Sequence, residues 1–90
     1  EKYFIEKLKL TNQYSGIGSY WERGNKNEID IVAINEENQT MLIAEVKINP
    51  NKISIEKLKK KAQKIVQKYP KYDFEFVGYS QEDIKIVKNN

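Results

Sequence analysis

The chain has 90 residues, of which 32% are charged and 39% are hydrophobic, and its formal net charge is +3. A chain of this length forms one small domain, and this balance of residues excludes a wholly disordered protein. It has no cysteine and no histidine, which excludes disulfides and thiolate chemistry and removes both the usual metal ligand and the usual base at neutral pH. A metal site must therefore use oxygen ligands, as sites for magnesium, manganese or calcium do.

No apolar run approaches the ~18 residues that cross a membrane, and no signal peptide precedes the first predicted element. We therefore expect a cytoplasmic protein with no membrane contact. The chain starts at Glu1 inside a predicted helix and without a methionine, so residues 1–90 are expected to be a single domain cut from a longer protein. An isoelectric point near 9.0 permits contact with nucleic acid without requiring it.

An amphipathic helix and a first strand open the chain. The helix EKYFIEKLKL has its apolar residues on roughly one side, and these are Tyr3 or Phe4, Ile5, Leu8 and Leu10. Turn-forming residues follow in TNQYSGIG, and IGSYWERG then alternates loosely as a strand. We expect its Trp21 in the core, with stacking on bases as the alternative. The segment RGNKN predicts a polar turn into the next strand.

Two apolar, β-branched strands come next, IDIVAI at 29–34 and MLIAEVKI at 41–48, joined by NEENQT. Both strands have apolar residues on both faces, which a sheet open to water on one side does not need. We therefore expect helices on both sides of the sheet.

The segment SIEKLKKKAQKIVQKY, residues 54–69, predicts the clearest helix of the chain. Ser54 is placed to cap its N-terminus, Glu56 lies in its first turn, and Pro70 ends it. Its apolar residues follow the spacing of one buried stripe, and these are Ile55, Leu58, Ala62, Ile65, Val66 and Tyr69. YDFEFVGYS then predicts a fourth strand and DIKIVK a fifth. The predicted order is α-β-β-β-α-β with one further strand, an α/β fold in which helices flank a central mixed sheet.

Charged residues inside the two apolar strands require an explanation, because an unpaired charge in a dry interior costs several kcal/mol or more. If residues 36–39 form a four-residue loop, position 35 pairs with 40, 34 with 41, 32 with 43 and 30 with 45. Asp30 and Glu45 then become neighbours, and Glu28 faces Lys47. Two ionised carboxylates this close repel each other, so they need a cation or a shared proton.

Two interpretations of these charges stay open. A divalent cation with oxygen ligands satisfies both acids, with Lys47 beside the same site. Alternatively, Lys47 forms a purely structural salt-bridge cluster with Glu28 and Asp30 at the edge of the sheet.

These residues resemble a known family. EIDIVAINEENQTMLIAEVK is similar to the core of the PD-(D/E)XK nuclease superfamily, in which an acid on one strand of a hairpin and an E-x-K on the next strand hold a metal. IGSYWERGNKNEIDIVAI followed by LIAEVK resembles more closely the restriction-endonuclease-like domain of unknown function at the C-terminus of a group of archaeal and bacterial ATPases. The resemblance runs from the first helix through the second and implies a restriction-endonuclease-like fold.

The resemblance also implies site residues. The catalytic residues would be Asp30, Glu45 and Lys47, with Lys47 orienting or activating the attacking water and stabilising charge on the phosphate. The ligands of a magnesium or manganese ion would be Asp30, Glu45, the carbonyl of Val46, and Glu1, with Glu6 as an alternative to Glu1. The proline that usually precedes the first acid is absent, and Ile29 stands there.

Basic residues near such a site are candidates for binding nucleic acid, although a run of lysines on a helix is otherwise a solvated face. These candidates lie on the second helix and in the turn after the first strand, and they are Lys59, Lys60, Gln63, Lys64, Arg23 and Lys26.

Our leading hypothesis from the sequence is a metal-dependent nuclease domain that hydrolyses phosphodiester bonds of nucleic acid, with DNA as the expected substrate and an ATPase domain in the same longer chain. The alternative is a catalytically silent regulatory module that docks the ATPase on DNA or on another protein. A third hypothesis is a structural domain in which Lys47 neutralises the acids. The exposed edge of the sheet offers a route to a homodimer.

Overall fold

Five strands form one sheet in the computed structural model, which describes residues 2–21, 28–80 and 86–89, and their order is β1-β2-β3-β4-β5. The strands are β1 (Gly16–Trp21), β2 (Glu28–Asn35), β3 (Thr40–Lys47), β4 (Asp73–Ser80) and β5 (Ile86–Asn89). The helices are α1 (Lys2–Lys9), α2 (Ile55–Lys61) and α3 (Gln63–Lys68), with a 3-10 turn at Pro50–Lys52. β3 and β4 run parallel, whereas the other neighbouring strands run antiparallel. The protein therefore has the predicted α/β fold, a mixed sheet with flanking helices.

The sheet is covered by helices on both faces, as its two-sided apolar strands predicted. On one face, Phe4 of α1 is buried in a cluster with Ile31, Leu42 and Val77. On the other face, residues of α2 and α3 pack on β3 and β4, and the buried members of this cluster include Ile43, Leu58, Ala62, Ile65 and Phe76. Below, we call these the α1 face and the α2 face. Among the described residues, none of the helices is long and apolar enough to cross a membrane.

The β2–β3 hairpin has the predicted register over most of its length. Asn35 pairs with Thr40, and the ladder continues through Ile34 with Met41 and Val32 with Ile43. A four-residue turn at 36–39 joins the strands, and the Asn38 N–H donates a hydrogen bond of 2.9 Å to Oδ1 of Asn35. This side-chain bond within the turn fixes the register from its closed end.

The open end of the hairpin departs from the prediction, because β2 contains a bulge. Gly18 of β1 pairs with Val32, but Tyr20 pairs with Ile29, so β2 has one residue more than β1 over this interval. The pairs of β2 with β3 end at Ile31 with Ala44, and no described pair joins 30 to 45 or 28 to 47. A bulge of this kind ends strand pairing and redirects a side chain. Here it also turns Ile29 to the α2 face, whereas Ile31 lies on the α1 face.

The predicted helix at 54–69 is interrupted at Ala62 and forms α2 and α3. The Ala62 N–H is shared between the carbonyls of Leu58 and Lys59, at 3.1 and 3.2 Å, which tightens this turn toward 3-10 geometry. The predicted cap is confirmed, since Ser54 Oγ accepts from the Lys57 N–H at 3.3 Å.

Two residues predicted to be apolar contacts are exposed instead. Leu10 is 85% exposed because α1 ends at Lys9, where Thr11 Oγ1 donates to the Leu8 carbonyl and the chain turns away. Val66 is 36% exposed because it lies at the border of the buried stripe formed by Leu58, Ala62 and Ile65. The side chain of Trp21 and the predicted turn RGNKN at 23–27 lie outside the described residues.

Candidate active site

The bulge in β2 brings the carboxylate of Asp30 to the main chain of β3. Ser19 of β1 lies opposite the bulge and donates its hydroxyl to the carbonyl of Asp30 at 3.0 Å, which fixes the backbone there. Oδ2 of Asp30 then accepts the N–H of Val46 at 2.8 Å. This N–H belongs to the peptide that joins Glu45 to Val46. The half-buried carboxylate of Asp30 therefore contacts the main chain beside Glu45, although Asp30 and Glu45 do not pair in the described ladder.

Glu45 is the buried acid of the site, with 7% of its surface exposed. Its Oε1 lies 3.6 Å from Nζ of Lys47 and 3.7 Å from Nζ of Lys61, and both lysines are partly exposed. The two ion pairs compensate the cost of burying the carboxylate. In the described part of the chain, Lys47 therefore pairs with Glu45, whereas the structural alternative predicted pairs with Glu28 and Asp30.

Lys61 was not among the residues predicted for this site. It belongs to the run of lysines on the second helix. Its spacing carried a signal, because Lys61 follows Leu58 by three residues and precedes Ile65 by four, which places it on the border of the buried stripe. A lysine at such a border extends over the sheet, and here it ends at Glu45.

The two acids fit a magnesium or manganese ion by their chemistry. Each carboxylate uses one oxygen in its described contacts, Oδ2 in Asp30 and Oε1 in Glu45. Over the described residues, no hydrogen bond or ion pair engages Oδ1 of Asp30 or Oε2 of Glu45. No group of three or more acidic, histidine or cysteine side chains that could hold a metal occurs in the described ranges. Two carboxylates suffice for magnesium, which keeps several of its waters.

The other predicted ligands have different positions. Glu1 lies outside the described residues. Glu6 is exposed on α1, the helix that covers the opposite face of the sheet, so the structure does not bring it to Glu45. The carbonyl of Val46 stays a predicted ligand, and the N–H of the same residue fixes Asp30.

Beside the site, β4 contributes small residues and the loop after β3 closes over them. Gly78 and Ser80 pair with Glu45 and Lys47 across the parallel ladder. The side chain of Ile53 occupies the space above Gly78, so a Cβ added there would lie 3.0 Å from Cδ1 of Ile53 and closer still to its Cγ2. Ser80 is fully buried and donates its hydroxyl to the carbonyl of Ile48 at 3.2 Å. These contacts hold the loop between β3 and α2 against the sheet next to Glu45.

The residues predicted to bind nucleic acid separate into two groups. One groove between the helices and β4 is lined by Lys59, Lys60 and Gln63 together with Phe76, and Nζ of Lys59 lies 5.6 Å from the centre of the Phe76 ring. Lys64 lies on the other flank of the helices, where it lines a separate groove with Lys68. Arg23 and Lys26 lie outside the described residues. The helices thus present two basic flanks rather than one basic face.

One family model matches the chain. The model DUF234, described as archaeal and bacterial proteins of unknown function, matches residues 2–65. The matched range runs from α1 into α3 and includes Asp30, Glu45, Lys47 and Lys61. Comparisons with curated proteins and with solved structures give no match.

Proposed function

The chain belongs to the DUF234 family of archaeal and bacterial proteins, and from that premise we propose that it is a metal-dependent nuclease domain of the PD-(D/E)XK type, with a restriction-endonuclease-like core. The proposed reaction is hydrolysis of a phosphodiester bond in nucleic acid, with DNA as the expected substrate. The ATPase domain in the same longer chain, and the homodimer, are further parts of this proposal.

One observation carries the proposal. Oδ2 of Asp30 lies 2.8 Å from the nitrogen of the peptide that follows Glu45, and Glu45 is in turn within 3.6 Å of Lys47. The first acid thus contacts the main chain beside the second acid, and the second acid forms an ion pair with the lysine. The bulge that produces this arrangement leaves the β2–β3 ladder incomplete by the pairs 30 with 45 and 28 with 47, a loss that hairpin stability alone does not explain.

In this proposal Asp30 and Glu45 hold a magnesium or manganese ion through the oxygens that their described contacts leave open. When bound, such an ion lowers the pKa of a coordinated water and neutralises charge on a phosphate. The lysines act on the substrate itself. Lys47 is 43% exposed at its side chain, so its ammonium can leave Glu45 for a phosphate oxygen without first being released from a buried position.

Metal binding is the first test. A divalent ion at tenfold its dissociation constant stabilises the folded state by about 1.4 kcal/mol, which raises the melting temperature of a small domain by about 5 °C or more. We expect such a shift with magnesium or manganese, measured by differential scanning fluorimetry. Asp30→Asn and Glu45→Gln are expected to abolish it. Glu28→Gln, an exposed acid on the same strand, serves as the matched control and is expected to keep the shift.

Absence of any shift with the wild-type protein would contradict the proposed metal site. An equal loss of the shift in Glu28→Gln would mean that the ion responds to diffuse negative charge and not to a defined site. Catalysis is tested separately, by nicking of supercoiled plasmid and cleavage of branched DNA in the presence of manganese. Lys47→Ala is expected to lose cleavage while keeping the metal-induced shift. Equal cleavage by wild type and Lys47→Ala would assign the activity to a contaminant.

A specific observation also favours the silent regulatory module. Glu45 already has two cationic partners, so its charge is compensated by the protein alone. In that case the same variants give a different pattern. The melting temperature of the wild type does not respond to divalent ions, no cleavage occurs, and Glu45→Gln changes stability rather than ion binding.

A further inference from the structure

A half-enclosed groove of about 300 Å³ lies beside α3 on the α2 face of the sheet. Its floor is apolar and is formed by Val32, Ile34, Met41 and Ile65. Val32 and Ile34 are only half-buried, whereas Ile43 on the neighbouring strand is fully buried. The helices therefore cover β3 more completely than β2, which leaves apolar sheet surface accessible in the groove.

Two tyrosines form walls of this groove. Tyr20 enters from β1 and Tyr69 follows the end of α3, and both are half-buried. Each ring is anchored in the cluster of the α2 face and presents part of its surface to the groove. Anchored aromatic rings beside an apolar floor are a platform on which flat, unpaired bases can stack.

Lysines connect the groove with the candidate active site. Lys64 and Lys68 line it, and they follow Lys61 by three and seven residues, so all three lie along one flank of α2 and α3. Lys61 contacts Glu45 at 3.7 Å. On the floor, Val32 lies two residues from Asp30. The charged side chains among the described residues that line the groove are both lysines.

We infer that this groove binds an unpaired nucleic acid strand and leads it to Asp30 and Glu45, so that the substrate of the site is single-stranded or locally unpaired. The inference rests on the proposed function and specifies its substrate. Phosphates along the strand meet Lys64 and Lys68, and bases stack on Tyr20 and Tyr69. A duplex holds its bases stacked inside, so it offers phosphates to the lysines but no base faces to the floor and the rings.

Binding is measured without any divalent ion, by fluorescence anisotropy of a labelled single strand in EDTA, with the same sequence as a perfect duplex for comparison. Wild-type protein is expected to bind the single strand more tightly than the duplex. Lys64→Glu with Lys68→Glu is compared with Lys59→Glu with Lys60→Glu. The two double variants change the net charge equally, one on the α2 side and one on the α3 side, and they alter different grooves. Each also removes one lysine that lies over an aromatic ring.

The first double variant is expected to weaken single-strand binding about tenfold or more and to reduce the slope of log affinity against log salt by about 1.4, since each lost phosphate contact contributes about 0.7. The second is expected to weaken binding clearly less than the first and to leave the salt slope closer to that of the wild type, because its lysines line the other groove. Tyr69→Leu should weaken binding about fivefold or more by loss of stacking. Tyr72→Leu is its matched control, because Tyr72 contacts Tyr69 edge-on and does not line the groove. Melting temperatures of all variants verify that they fold.

Equal losses in the two double variants, or equal affinity for single strand and duplex, would overturn the inference in favour of diffuse charge. Displacement of the strand by poly-glutamate, at a carboxylate concentration equal to the phosphate concentration of the strand, would overturn the inference in favour of an acidic protein segment as the ligand. If the single strand does not bind but the magnesium-induced shift persists and depends on Asp30, the groove fails as a strand-binding site while the proposed metal site stands. If the strand binds as expected and the shift is absent, the proposed nuclease fails and the strand-binding groove remains.

Discussion

The two faces of the β2–β3 hairpin have different compositions and different roles. On the α1 face, Ile31, Ala33, Leu42 and Ala44 form a continuous apolar row that ends at the polar pair of Asn35 and Thr40, and Ile31 and Ala44 are fully buried. On the α2 face, Ile43 is fully buried, but two residues further along β3 the same face carries Glu45 and then Lys47. One face therefore serves folding alone, whereas the other combines a core and a charged site on the same strand.

This contrast shows how a small domain accommodates a buried acid. Glu45 lies on a strand whose other buried positions are apolar, and its charge is compensated by two lysines that are each partly exposed. The lysines retain water while the acid does not, so the desolvation cost falls mainly on a single group. Stability is therefore expected to depend strongly on the α1 face and weakly on the charges of the α2 face.

The largest effect is expected from a cavity on the α1 face. Ile31→Ala removes a fully buried side chain and should lower the free energy of unfolding by about 2 to 5 kcal/mol, measured by urea denaturation. Glu45→Gln, which removes the buried charge and keeps the shape, should change it by about 1 kcal/mol or less, because its lysine partners can return to water. Comparable losses in the two variants would contradict the division between the faces.

An intermediate effect is expected from Gly78→Ala at the border of the site. The added methyl group meets Ile53, whose side chain already occupies that space next to Glu45. Overpacking of this kind costs about 1 to 3 kcal/mol. Gly18→Ala is the matched control within the sheet, since no atom lies within 4 Å of a Cβ built there. A smaller loss at Gly78 than at Gly18 would show that the loop after β3 is not packed against the sheet.

Several parts of this architecture could be predicted from the sequence, because local patterns determine them. The hairpin register follows from the loop at 36–39 and from apolar alternation, and the helices on both faces follow from the two-sided apolar strands. The cap at Ser54 follows from residue type and position. Each of these features depends on residues close together in the chain or on one periodicity.

The features that could not be predicted depend on contacts between distant segments. The bulge opposite Ser19 arises between β1 and β2, and nothing in the sequence IDIVAI marks the extra residue. The break at Ala62 also depends on packing, because that residue is fully buried against the sheet. Lys61 was recognisable by its spacing from Leu58, but only the position of Glu45 identifies its partner.

A smaller effect, on ion affinity rather than on stability, is expected from Lys61→Met. In the proposed metal site, Lys61 and the divalent cation would compete for the carboxylate of Glu45, so removing the ammonium lowers repulsion of the ion and should tighten magnesium binding about threefold to tenfold. Isothermal titration calorimetry measures this directly. Lys64→Met, one turn away on the same flank, should bind magnesium as the wild type does. Weaker binding in Lys61→Met would mean that Lys61 organises Glu45 for the ion instead of competing with it.

The smallest effect concerns the α1 face at high pH. Burial, and then the negative charge of Glu75, raise the pKa of Tyr14 above its ordinary value of 10.0. The unfolded chain therefore loses this proton first as pH rises, so the contribution of Tyr14 to stability is complete below pH 10 and is lost as pH increases through the higher pKa of the folded state. Burial raises the pKa of Tyr79 in the same way, with further contributions from Tyr14 and Glu75.

Tyr14→Phe should accordingly reduce the fall in the free energy of unfolding between about pH 8 and about pH 11, measured by urea denaturation at each pH. The substitution removes only this hydroxyl, so the difference between the two curves isolates the tyrosine. Tyr79→Phe should show a change of the same sign, because the ring of Tyr79 stacks on Phe4 at 4.8 Å in the core of the same face. Parallel curves for wild type and Tyr14→Phe would mean that the folded and unfolded states bind this proton equally, which would contradict the raised pKa of Tyr14.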